Sequence, residues 1–257
     1  MRITLLLAAS ACIMAAVLLY LSGRESRLLR ADPDSIAMNS ALMALALRSG
    51  ESLFEMHCAV CHGAQGQGDP QRGVPALNDV DWLYGTGDVS DIEQVAKYGI
   101  RSYHPRAWNL ARMPAYASPR PGARDDRIPS LSPADIRDLV EFLFREQGRT
   151  ADAAGAARGG VLFAGTGGCY DCHATDAKGD SAIGAPDLTD RITLYGDGSR
   201  QSLAMSIAYG RHGMCPAWVN RIDPAGIREV AVFVYSLSRM RGRVGPAAPG
   251  AATPGAE

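Results

Sequence analysis

Large aromatic side chains are scarce in this sequence, with 5 Phe, 3 Trp and 9 Tyr among 257 residues. A chain of this length forms one or two domains, and so few rings leave either with little bulk for a core. Charge of one sign is missing as well. The 26 basic and 27 acidic residues give a formal net charge of −1, which excludes a basic nucleic-acid binder and a disordered acidic tail protein. The six cysteines are too few for a disulfide scaffold, so their spacing matters more than their number. Gly and Pro are plentiful, at 28 and 15 residues, and predict many loops.

Ile3 to Leu21 is an uncharged stretch flanked by Arg2 and by Arg24, Arg27 and Arg30. At helical rise it matches the roughly 30 Å hydrocarbon core of a bilayer. A cleaved signal peptide is the competing reading, but the small-residue site Ala9-Ser10-Ala11 follows only about seven apolar residues, the lower limit for such a segment. The expectation is an uncleaved single-pass anchor in membrane lipid. Three arginines after it would hold that end in the cytoplasm by the positive-inside rule; the chemistry described below requires export and overrules them.

The remainder is a duplication. Cys58-Ala-Val-Cys61-His62 returns 111 residues later as Cys169-Tyr-Asp-Cys172-His173, as do Gly73-Val-Pro75-Ala-Leu77 (Gly184-Ala-Pro186-Asp-Leu188), Leu83-Tyr84-Gly85 (Leu194-Tyr195-Gly196) and Tyr98-Gly99 (Tyr209-Gly210). The offset is 109 between Gly50-Glu-Ser-Leu-Phe54 and Gly159-Gly-Val-Leu-Phe163. It is 102 between Met113-Pro-Ala-Tyr116 and Cys215-Pro-Ala-Trp218, and 91 between Ser132-Pro-Ala-Asp-Ile136 and Asp223-Pro-Ala-Gly-Ile227. Two copies are a duplicated domain, not a solenoid, which needs at least three repeats.

Each copy reads as helical. Ser132, Pro133 and Asp135 form a capping pattern, and Ile136, Leu139, Val140, Leu143 and Phe144 follow as a core-facing stripe. Ile227, Val230, Ala231 and Val234 repeat it. Val89, Ile92, Val95 and Ala96 predict a middle helix stopped by Gly99, and Leu203 and Ile207 another stopped by Gly210. The expected organisation is all-α: a membrane anchor at 1–23, a connecting segment at 24–49, one domain at 50–147, a linker at 148–157, a second domain at 158–240 and a disordered tail at 241–257.

Cys-x-x-Cys-His is the attachment pattern of c-type haem: both thiols form thioethers and the adjacent imidazole binds iron. With 6 Cys and 5 His, roughly 0.003 chance matches are expected, so two are not accidental. A zinc site would need a second Cys or His pair some 12 to 20 residues on, and neither motif has one. Two covalently bound haem c groups are therefore expected, tethered by Cys58 and Cys61 and by Cys169 and Cys172, with His62 and His173 on iron. Buried porphyrin also compensates for the thin aromatic content.

The sixth ligand separates electron carriers from haems that bind small molecules. Met113, in Met113-Pro114, is expected to close the first haem; His57 adjoins the attachment helix and His104 sits in an inserted loop. In the second copy Cys215 aligns with Met113, and Met214 is expected to ligate after a one-residue shift, with Cys215, His212 or an open position as alternatives. Pro75 and Pro186 are expected to offer carbonyls to the proximal imidazoles, and Trp82, Tyr84, Tyr195 and Trp218 to pack near porphyrin edges.

Over residues 50–238 these segments resemble the di-haem cytochrome c subunit III of cbb3-type cytochrome c oxidases. The resemblance rests on Cys58-x-x-Cys61-His62-Gly63, Asn78-Asp79-x-Asp81-Trp82-Leu83-Tyr84-Gly85, Tyr98-Gly99-Ile100-Arg101-Ser102 and Met113-Pro114-Ala115. In the second half it rests on Gly184 to Asp190, Leu194-Tyr195-Gly196 and Pro216-Ala217-Trp218. It implies two tandem class I cytochrome c domains in the periplasm, taking electrons from a soluble cytochrome c or quinol-oxidising complex and passing them to haem–copper oxidase subunits. Such a subunit catalyses nothing alone. A di-haem peroxidase or a haem-based sensor is the alternative, as is a carrier serving another complex. The chain departs from the family pattern in a shorter segment before the anchor and in Met214-Cys215-Pro216 where the family has Met-Pro.

Overall fold

The computed structural model describes residues 12–16, 22–117 and 129–242. Of the expected anchor at 1–23, residues 12–16 and 22–23 are described and helical, the former exposed; its remainder, and all but the first two residues of the expected tail, lie outside the described residues. No helix among the described residues is long and apolar enough to cross a membrane.

Among the described residues, eight α-helices follow one 3-10 turn, Asp34–Met38. They are α1 (Ser40–His57), α2 (Ala59–His62), α3 (Val89–Tyr98), α4 (Pro133–Glu146), α5 (Ala153–Ala164), α6 (Tyr170–His173), α7 (Arg200–Tyr209) and α8 (Pro224–Gly242). Strand pairing among the described residues is limited to isolated bridges, so the expected helical class holds. Local signals set the helix starts. Asn39 accepts from the amides of Ala41 and Leu42, Ser132 and Asp135 close the expected capping box on α4, Asp152 caps α5 and Ser199 caps α7. Gly99 and Gly210 end α3 and α7 in the left-handed region, which glycine adopts at little cost.

Packing departs from the order of the sequence. Helix α1 lies against α8 and α5 against α4, with α3 on α8 and α7 on α4. The opening helix of each copy thus pairs with the closing helix of the other. The two crossings match residue by residue. A Cβ on Gly50 would lie 2.2 Å from the Glu229 carbonyl oxygen, and one on Gly159 2.0 Å from that of Asp138. Phe54 meets Phe233 at 5.3 Å between ring centroids, and Phe163 meets Phe142 at 4.9 Å. One core gathers Phe54, Val89, Ile92, Val230, Ala231 and Val234; the other gathers Ile136, Leu139, Leu143, Phe163 and Ile207.

Chain connectivity explains the exchange. Only residues 147–152 separate α4 from α5, and so short a connection places consecutive helices side by side. The expected linker at 148–157 is therefore half helix, because Ala153–Ala164 forms α5. Its small residues let α4 approach closely; a loop reading of Gly and Ala missed that. The first unit also starts earlier than residue 50. Helix α1 opens at Ser40, and Leu28 and Ile36 of the expected connecting segment are fully buried in the first core.

Candidate metal centres

Around each Cys-x-x-Cys-His motif the backbone folds alike. The first cysteine precedes a one-turn helix, and its carbonyl accepts the histidine amide at 3.0 Å in both copies. The following loop turns back on itself, with Asp69 bridging Val74 and Asp180 bridging Ala185. This brings a proline carbonyl under each imidazole: Pro75 to His62 Nδ1 at 2.9 Å and Pro186 to His173 Nδ1 at 3.1 Å. Nδ1 donates to each carbonyl, which leaves Nε2 as the free nitrogen. The two carbonyls expected from sequence are the ones used. Burial lowers the pKa of both imidazoles, and the proline hydrogen bonds oppose it in part, so both rings are neutral and able to ligate at pH 7.

Cys169, Cys172 and His173 line a cavity of about 580 Å³, within the usual range of about 300–1,000 Å³ for cofactor sites. Leu139, Leu143, Phe163, Leu203 and Ile207 form apolar wall; Arg101, Arg149, Arg191 and Arg211 bring positive charge to the same cavity. Met113 also lines it. Met113 was expected at the haem of His62, and the structure places it instead with Cys169, Cys172 and His173. A reciprocal pair of backbone hydrogen bonds with Arg211, at 3.1 and 3.2 Å, holds it there. The cause is the helix exchange: the segment before α4 travels with α4 into the second core.

At the other centre, Cys58 is packed against the first core, and Cys215 pairs with Ile100 through two backbone hydrogen bonds of 3.0 Å. Burial pushes the Cys58 thiol up to about 11, with Cys61 adding to it, and the Cys169 thiol to about 11. Such thiols are the opposite of the activated thiolates of thiol catalysis. Cys215 is pushed up to about 12 by burial and then by Cys58 and Cys61. Met214 faces solvent with 69% of its surface exposed, so the structure turns the expected ligand outward.

The remaining candidates stand elsewhere. His57 packs its ring on Trp218 at 5.0 Å. His104 stacks on Tyr98 at 4.7 Å and is half-buried rather than in the open. His212 is exposed on the cavity that holds His173. Tyr195 lines that cavity, while Tyr84 fills the space over Gly184 and Trp82 packs against the first core. The cavity arginines were not expected in this place. Arg101 belongs to the first copy and Arg211 to the second, and nothing local in either says that they meet.

The cytochrome c family model matches residues 47–144. The cbb3-type cytochrome c oxidase subunit CcoP of Rhodobacter capsulatus is 37% identical over 221 residues, 83% of this chain and 69% of the relative. The CcoP of Cereibacter sphaeroides is 35% identical, over 83% and 68%, and the FixP of Bradyrhizobium sp. is 37% identical, over 79% and 64%. The chain belongs to the CcoP/FixP family of cbb3-type cytochrome c oxidase subunits. It spans about two thirds of the length of these curated relatives. As a CcoP/FixP protein it carries covalently bound haem c, and the pairs at 58/61 and 169/172 have the required spacing. The His173 cavity fits that group on its own evidence: two thiols, an imidazole with Nε2 free, a thioether, apolar walls and arginines for the porphyrin carboxylates.

Proposed function

We propose that this chain is the membrane-anchored di-haem subunit of a cbb3-type terminal oxidase. It accepts electrons from a soluble cytochrome c or a quinol-oxidising complex and delivers them to haem–copper subunits. Residues 3–21 anchor it in the bacterial inner membrane, with both haem units on the periplasmic side. The observation that carries this reading is the pair of imidazoles, each locked by a proline carbonyl beside a Cys-x-x-Cys pair.

Haem supplies a one-electron couple when bound. Cys58 and Cys61 tether one group, Cys169 and Cys172 the other. His62 and His173 would each offer Nε2 to iron, since each Nδ1 is committed to a carbonyl. That bond fixes the ring plane and raises the imidazole's basicity. The Met113 thioether, on the same cavity as His173, would be a second iron ligand there, favouring the reduced state and occupying the position a small ligand would need. Arg101, Arg149, Arg191 and Arg211, which line the cavity, would pair with the porphyrin carboxylates. Electron transfer, not peroxide turnover or gas sensing, is the chemistry such a closed site performs.

Mild detergent extraction should recover the chain with haem–copper subunits and two haems per chain; recovery as a lone species would refute the subunit role. Met113→Ala should open the iron beside His173, so that the reduced protein gains carbon monoxide binding there. Unchanged spectra would refute Met113 as a ligand.

A further inference from the structure

The two distal segments are related by the same exchange as the helices. Under the repeat alignment Ile100 corresponds to Arg211 and Met113 to Cys215, and the bridges observed are Arg211 with Met113 and Ile100 with Cys215. The hydrogen bonds that continue each segment also correspond. Tyr116 N–H donates to the Ile207 carbonyl at 3.2 Å, and Trp218 N–H to that of Ala96 at 3.2 Å. Position 215 therefore stands toward Cys58, Cys61 and His62 as position 113 stands toward Cys169, Cys172 and His173.

We propose that Cys215 is the distal iron ligand of the haem tethered by Cys58 and Cys61. This rests on the di-haem reading above and deepens it. Residues 211–216 run extended, with burial alternating residue by residue: Arg211, Gly213 and Cys215 are half-buried, while His212, Met214 and Pro216 are exposed. Side chains on extended backbone alternate between faces, so Met214 and Cys215 cannot both reach the iron. Turning Met214 inward would break both hydrogen bonds between Cys215 and Ile100. Among the described residues the Cys215 sulfur has no polar partner nearer than its neighbour's carbonyl, Pro216, at 3.7 Å. As sulfur bonds ferric iron, the thiol proton leaves to solvent and one negative charge stays at the metal. A thiolate donates electron density to iron, stabilising the ferric state where a thioether favours the ferrous one. The chain thus pairs a low-potential haem beside His62 with a high-potential haem beside His173, and electrons settle on the latter.

The test uses the full-length, haem-loaded protein in detergent. Wild type should show one thioether-to-iron charge-transfer band, lost in Met113→Ala, and one low-spin ferric thiolate signal by electron paramagnetic resonance. Cys215→Ser should abolish the thiolate signal, Met214→Leu should leave it intact, and Cys215→Met should replace it with a second thioether band at a higher potential. A second thioether band already present in wild type and lost in Met214→Leu would overturn the assignment, as would a wild type with no thiolate signal. Haem content separates the two levels of argument. Two haems per chain with a Met214-dependent band sinks only the ligand, whereas one haem per chain sinks the di-haem reading and the ligand with it.

Discussion

The α1–α8 crossing and the α5–α4 crossing are one contact built twice, yet the two regions keep charge in different places. In the first, Arg228 is buried with Glu93 as its partner and donates further to the carbonyls of Leu28 and Ala31 at 3.0 and 3.1 Å. Its counterpart in the second region, Arg137, is exposed. Glu229 is likewise buried, against Arg24 at 2.6 Å, while its counterpart Asp138 pairs at the surface with Arg158. The cause is residues 22–38, which lie over the first core and seal its charged face. Identical helix contacts acquire different electrostatics from what covers them.

The largest effect should come from breaking the sealed network. Arg228→Met leaves the buried Glu93 with Lys97 alone, at 3.6 Å, and should cost about 3 kcal/mol in denaturant unfolding, whereas Arg137→Met should leave stability unchanged. Equal losses at the two positions would show that the cover plays no part.

Next come the glycines, where the regions should behave alike. Gly50→Ala and Gly159→Ala each drive a methyl into a facing backbone carbonyl and should each cost about 1–3 kcal/mol by thermal melting. A marked inequality would mean that only one crossing is closely packed.

The smallest effect is a pH dependence of opposite sign. Burial raises Glu229 from 4.5 to about 7, with Arg24 opposing it. The folded state holds its proton more tightly, so this contribution is full below about pH 4.5 and is lost as pH rises to about 7. Asp138 is lowered by its hydrogen bond to Arg158, so its contribution is present above its ordinary pKa and is lost only as pH falls below that. Glu229→Gln should flatten the stability profile between pH 4.5 and 7, and Asp138→Asn should not; melting across that range decides it.

Much of the site was legible because its signals are local. Cys-x-x-Cys-His needs one turn of helix, the proline carbonyls recur at a fixed distance from each histidine, and the Ser132–Asp135 box is contained within four residues. Helix α5 was hidden because Ala and Gly read as linker, although alanine favours helix and glycine permits a close crossing. Which of Met214 and Cys215 turns inward depends on backbone register, where a slip of one residue reverses the face.

From the sequence alone came two Cys-x-x-Cys-His motifs, the carbonyl partners of their histidines, a helical class and a duplicated unit. Which half packs against which motif was decided only in three dimensions. The opening helices share a Gly-x-x-Leu-Phe face and the closing helices a Pro-Ala-x-Ile-Arg start with a matching apolar stripe, so local pattern cannot tell partners apart. The short span from Gln147 to Asp152 can: it ties α5 beside α4, carries Met113 into the second centre and leaves Cys215 facing the first.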